Sequence, residues 1–246
     1  MRKKNLYQEL KEAKAEQNFE RIIEIIKELP TIEIKNERLF YSSLYLLIKN
    51  GYSKEVENIL SNTYFPKENK VIVSTLKKAI VEQREYEKLS EVQKENYYTA
   101  LKLGNKYYRN YEVETAYDVY TFGEYTTGLY IFKYYIGKMF FKAGQERLAK
   151  KYFEEYIKVG AEKLGKAYLY LATIYKNMHD NKTALYYSKL VEILNKMYDT
   201  DYEMYYIYDK NNKEVEISSD NFIHYSDGSI STFKKSAVLD LNDLNK

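Results

Sequence analysis

The stretch "LATIY", residues 171–175, decides how the rest of the chain is read. It sets an aliphatic residue, a small one and, three places later, an aromatic. Moving outward, the same order recurs in "LGNKY" (103–107) and "IGKMF" (136–140), so the copies are spaced by 33 and then 35 residues. Twelve residues past each small residue stands an alanine: Ala116 after Gly104, Ala149 after Gly137, Ala184 after Ala172. Four residues further come Tyr120, Phe153 and Ser188. Apolar residues at steps of three and four make one helix face, and a period of this length marks a stacked repeat.

Polar breaks divide each copy into two helices: "RNYEVE" (109–114), "KAGQE" (142–146) and "KNMHDN" (176–181). Glycine inside a helix costs about 0.5–1 kcal/mol relative to alanine, so Gly104 and Gly137 signal a packing need. The spacing predicts that the small residue of the first helix faces the alanine of the second, with the aromatics beside that contact. Ala172 and Tyr175 are then glue between helices.

These positions resemble the tetratricopeptide repeat family over about residues 97–198. Gly104, Tyr107, Ala116 and Tyr120 match its small–aromatic–alanine–aromatic pattern, as do Gly137, Phe140, Ala149 and Phe153, and in part Ala172, Tyr175 and Ala184. Ala100, Lys133 and Tyr168 stand where the family has tryptophan, and its terminal proline is missing from all three copies.

Upstream, "LYQELKEAKAEQ" and "FERIIEIIKEL" flank Asn18, with Pro30 as a stop. "ERLFYSSLYLLIK" stops at Asn50-Gly51, where Ser53 offers a cap to the next helix. Pro66 opens a further helix, and Ser90 with Gln93 forms a capping box before the first clear copy. Downstream of Met197 the period becomes two. "YEMYYIY" pairs with "EVEIS" (Ile207 opposite Val215, Tyr205 opposite Ile217), and "FIHYSDGSISTF" folds on Asp227-Gly228 with Tyr225 against Ile230 and Phe222 against Phe233. The expected fold is mainly α: degenerate hairpins over 1–95, a helical-hairpin solenoid over 96–200, and a small antiparallel β-sheet with an acidic tail over 201–246. That sheet is expected to rest on the last helices.

The 246 residues contain no cysteine, which removes disulfides, thiolate metal sites and cysteine nucleophiles. No apolar leader and no run long enough for a bilayer is visible, so the expectation is a cytoplasmic protein without a membrane span. Thirty tyrosines accompany abundant Lys, Asn and Ile, a bias of composition. Net charge is +3, but residues 201–246 hold five Lys against nine Asp/Glu, −4, which leaves +7 on the remainder.

With His179 and His224 the only histidines, neither a catalytic triad nor a histidine-rich metal site assembles. "HYSDGS" (224–229) reads as turn chemistry, His179 as a residue of an interhelix break, and "GKMFFKAGQ" lacks the order of a phosphate loop. No enzyme activity and no cofactor are expected. The family resemblance instead implies a concave groove lined by first helices: Leu101, Asn105, Tyr108 and Arg109; Tyr134, Lys138, Phe141 and Lys142; Leu169, Thr173, Lys176 and Asn177. Its donors suit an acidic or carboxylate-bearing protein or peptide. The expected function is therefore a non-catalytic interaction scaffold. The alternatives are a peptide-sensing regulator, for which the first sixty residues show no helix-turn-helix, and an RNA-binding helical repeat. For the latter, residues 130–166 carry nine Lys/Arg against four Glu, but on several faces. Neither a monomer nor a self-associated form is favoured.

Overall fold

Five antiparallel helix pairs close on the same three-residue turn. The computed structural model describes residues 5–29 and 34–200, and past them the backbone of four short strands. Among the described residues the pairs are α1 (Leu6–Ala15) with α2 (Phe19–Glu28), α3 (Glu37–Lys49) with α4 (Ser53–Asn62), α6 (Glu91–Arg109) with α7 (Val113–Thr127), α8 (Ile131–Lys142) with α9 (Glu146–Val159), and α10 (Leu164–Asn177) with α11 (Asn181–Tyr198). A single long helix, α5 (Lys70–Glu87), stands between the second pair and the third.

In each turn the middle residue has positive φ: Gln17, Gly51, Tyr111, Gly144 and His179. The next residue's amide reaches back five positions, as from Asn18 to Ala13, Tyr52 to Leu47, Glu112 to Tyr107, Gln145 to Phe140 and Asp180 to Tyr175. That is a left-handed helix cap satisfying carbonyls the helix leaves open. Counting seven residues back from the turn centre and five and nine forward gives Gly104/Ala116/Tyr120, Gly137/Ala149/Phe153 and Ala172/Ala184/Ser188. The same count gives Leu10/Ile22/Ile26 and Leu44/Val56/Leu60 in the first two pairs, all fully or nearly fully buried. The first two pairs are thus built on the same frame with aliphatic residues in place of glycine, alanine and ring.

The packing at the glycines differs from the sequence expectation. A Cβ on Gly104 would lie 2.2 Å from the Tyr120 ring, and one on Gly137 3.0 Å from the Phe153 ring. The glycine therefore makes room for the aromatic of the second helix, not for its alanine. Where the first helix carries Ala172, the opposing position is Ser188, whose hydroxyl donates to the Ala184 carbonyl. Small against small occurs instead between Ala100 and Gly123: a Cβ there would approach that of Ala100 to 2.7 Å and the Phe132 ring to 2.5 Å.

Caps follow the sequence closely. Asn5, Asn18, Asn36 and Asp180 accept the amide three residues on, and Ser90 and Gln93 form the full capping box. Ser53 is the first residue of α4 rather than its cap, and Pro66 precedes a short 3-10 turn, Lys67–Asn69, with α5 starting at Lys70.

α7 packs on α8 and α9 on α10, as in a stack. The N-terminal hairpins attach elsewhere. α5 leads into α6 but packs along α3, α4 and α11, and α11 also lies on α3. Leu164, Leu194 and Met197 of the last hairpin are buried in one core with Leu10, Ile22, Leu44 and Leu76. Ion pairs follow the same seam: Lys14 and Arg38 with Asp199 (both 2.7 Å), Lys196 with Glu37 (2.5 Å) and Lys49 with Glu162 (3.0 Å).

The fold class is mainly α, and the expected C-terminal β-sheet closing the stack is corrected: among the described residues no such sheet is formed. The strands β1 (Met204–Tyr208), β2 (Glu214–Ser218), β3 (Phe222–His224) and β4 (Ile230–Thr232) give only two separate two-stranded ladders, β1 with β2 and β3 with β4. Two strands are too few to bury an apolar face of their own. The register expected at the second turn is also displaced, since Ile230 pairs with His224 and Phe222 with Thr232. Tyr225, Phe233, the Asp227-Gly228 turn and residues 237–246 lie outside the described residues.

Candidate functional site: the first-helix face

α8 meets both α6 and α10 through rings. Tyr97 on α6 makes an edge contact with Phe132 on α8 at 5.7 Å, and Phe141 on α8 an edge contact with Tyr170 on α10 at 5.0 Å. Tyr170 also stacks on Phe153 of α9, 4.9 Å between centroids and 5° from parallel. These contacts hold the three first helices side by side, so residues one turn apart on each form a single face.

At the end of α6 this face carries a built corner. The Lys142 ammonium donates to the Tyr108 carbonyl at 3.0 Å and lies 4.4 Å from the Tyr108 ring centre and 3.7 Å from that of Tyr111. The Lys138 ammonium lies 4.9 Å from the Tyr108 ring. A cation over an aromatic face is held by the ring quadrupole, and the held cation remains able to bind an anion. Burial, with Tyr111 beside it, pushes the Tyr108 hydroxyl up to about 12, so the ring stays neutral. An ammonium has three donors, and the contact to Tyr108 uses one of those of Lys142.

The twelve groove residues fall into different settings. Tyr134, Phe141 and Leu169 are buried and serve as core between helices. Leu101, Asn105, Tyr108, Lys138, Lys142, Thr173 and Lys176 are half-buried, and Arg109 and Asn177 exposed. Several donors already have partners in the chain. Asn105 accepts from the Tyr120 hydroxyl (3.1 Å), Thr173 donates to the Leu169 carbonyl (3.1 Å), and Asn177 donates to Glu146 (2.6 Å). The structure thus brings together Tyr108, Lys138 and Lys142, and adds Tyr111, which the sequence reading passed over as a turn residue. The aromatic in "RNYEVE", at the position where the other breaks have Gly144 and His179, was the signal available.

A second polar cluster lies at the seam. Glu82 of α5 accepts the amides of Ala161 (3.3 Å) and Glu162 (2.8 Å) on one carboxylate oxygen, while its other oxygen is buried with no partner among the described residues. Burial, with Glu162 beside it, pushes Glu82 up to about 7. Burial also raises Glu162, but Lys49 and Lys163 outweigh it and hold that carboxyl below its ordinary range. Tyr156 accepts the Lys163 amide at 2.9 Å, and Tyr198 donates to the Ala161 carbonyl. Among the described residues there is no group of three or more His, Asp or Glu placed to hold a metal ion, and no helix long and apolar enough to cross a membrane.

No family profile matches the chain, and no curated protein matches it. Among solved structures it is similar to a chain titled MamA MSR-1 C2, with 14% identity, 77% of this chain and 93% of that chain covered, and a TM-score of 0.36. The helical-repeat fold rests on this chain's own five turns.

Proposed function

We propose that this protein is a non-catalytic helical-repeat scaffold that binds an acidic protein or peptide segment on the face formed by α6, α8 and α10. The observation that carries the reading is the Tyr108–Lys138–Lys142–Tyr111 corner. Two ammonium groups held over two rings present positive charge at a fixed place, without the entropy loss of ordering free lysines. Asn105 on α6 and Thr173 on α10 stand at groove positions as neutral groups, and Arg109 and Lys176 add positive charge to the ends of the same two helices. A carboxylate arriving there gains charge-assisted hydrogen bonds, while its apolar neighbours meet Leu101 and the exposed edge of Tyr111.

Charge reversal at Lys138 and Lys142 is the test. Titration of the protein with labelled acidic peptides, measured by calorimetry, is expected to show binding that K138E/K142E weakens by about tenfold or more, 1.4 kcal/mol. The variant's helical circular dichroism should be unchanged, since both side chains are half-buried at the surface. Equal affinity for the two proteins removes this face as the binding site.

A further inference from the structure

Along its length the hairpin α6–α7 is covered by α8, whereas α5, which precedes it in sequence, packs along α3, α4 and α11. α5 meets α6 at its end, where the Tyr86 ring lies against that of Tyr97 and its hydroxyl shares a 2.6 Å hydrogen bond with that of Tyr98. In a helical stack a terminal hairpin is expected to present a polar outer face, because its apolar side has no neighbour. Here the outer face is not polar. Val92 and Leu103 of α6 are exposed, and on α7 Phe122 is 53% and Tyr125 88% exposed. Val92, Thr99 and Leu103 are separated by seven and four residues, and Thr115, Asp118, Phe122 and Tyr125 by three, four and three, so each set shares one stripe of its helix.

The charges on this face are arranged in a self-complementary way. Lys102 and Lys106 lie on α6, Glu114 and Asp118 on α7, and none of the four makes an ion pair or hydrogen bond among the described residues. Lys102 stands nine residues before Tyr111 and Asp118 seven after, Lys106 five before and Glu114 three after. Each base thus differs in height from its acid by two residues, about 3 Å along the helix axis. A two-fold axis parallel to the helices lays α6 of one copy over α7 of another at equal height. It sets Lys102 against the second copy's acid at 118 and Lys106 against that at 114, with the exposed apolar side chains between. An isologous interface requires that one patch satisfy itself in this way.

We infer that the open face of α6–α7 is the interface of a homodimer, the second copy taking the place that a preceding hairpin has in an uninterrupted stack. This inference does not rest on the first-helix face, which lies on another side of α6, so the two can fail separately.

Sedimentation velocity on the full chain tests it over a concentration series up to about 100 μM, where a dimer with a Kd on the order of micromolar is nearly complete. The wild-type protein is expected to move from monomer to dimer across the series. F122E/Y125E should remain monomeric with unchanged helical circular dichroism, since both residues are exposed. K102E or D118K alone should weaken association by about tenfold or more by opposing like charges twice, and K102E/D118K together should restore it. A wild-type protein monomeric at every concentration overturns the inference. So does a dimer that F122E/Y125E and the single reversals leave intact, which would place self-association on another surface.

Discussion

Gly104 shows how one residue's missing side chain is used. Tyr120 is almost fully buried, and its ring occupies the space a Cβ on residue 104 would take. Gly104→Ala must displace that ring within a closed core and is expected to cost about 1–3 kcal/mol. In a Tyr120→Ser background, which copies the Ala172/Ser188 arrangement of the last hairpin, the same change should be neutral or stabilising by up to about 1 kcal/mol, because alanine is the better helix former. Urea denaturation of the four proteins measures this; additive effects would mean that the ring and the glycine do not share one space. The repeat of small residue and aromatic was legible in the sequence. Which of the two later positions the glycine faces was not, since Ala116 and Tyr120 lie one turn apart on the same helix face and the choice depends on how far the helices slide past each other.

At the level of the element, the hairpin turn decides where helices stop. Its centre needs a left-handed backbone, which L side chains adopt at a cost of about 1–2 kcal/mol and glycine without it. Only Gly51 and Gly144 meet that need with glycine; Gln17, Tyr111 and His179 adopt positive φ with a side chain. Gln17→Gly and His179→Gly are therefore expected to raise stability by about 0.5–1 kcal/mol each, and Gly144→Ala to lower it by about 1 kcal/mol. Thermal or urea midpoints check both directions. The same feature explains which pairs the sequence disclosed. The helix α3, stopping at Asn50-Gly51, announced its end, whereas at Gln17 no residue type marks the turn and only Asn18 suggested a helix start. The frame shared with the later copies is hidden at Leu10, Ile22 and Ile26 because aliphatic residues fill the knuckle and erase the small–aromatic pattern.

For the whole molecule, the decisive contact is between α11 and the N-terminal helices. It joins residues 5–29 and 34–200 through one core, with Glu82 closed into the seam. Its carboxyl is raised from near 4.5 to about 7 in the folded protein, so the folded state binds this proton more tightly than the unfolded chain does. The resulting stabilisation is complete below about pH 4.5 and is lost as pH rises through about 7. Stability is expected to fall over that window in the wild-type protein, and Glu82→Gln, which keeps an acceptor for the Ala161 and Glu162 amides, should flatten the slope. Urea midpoints compared from about pH 5 to about pH 8 span the titration in both proteins. An equal slope in the variant would place the dependence elsewhere.

By itself the sequence determined what is local. Three- and four-residue periodicity, Asn, Ser and Asp caps and repeated small residues specify helical hairpins, because each depends on residues within two turns of one another. The face carrying Lys138 and Lys142 follows from the same periodicity, which sets the two lysines one turn apart on α8. Tertiary structure alone decided that the N-terminal pairs join the last hairpin instead of the sixth helix, that Tyr134, Phe141 and Leu169 are core, and that the carboxyl of Glu82 is buried. Those outcomes turn on which of several comparable apolar faces meet, a competition between distant segments that no local pattern encodes.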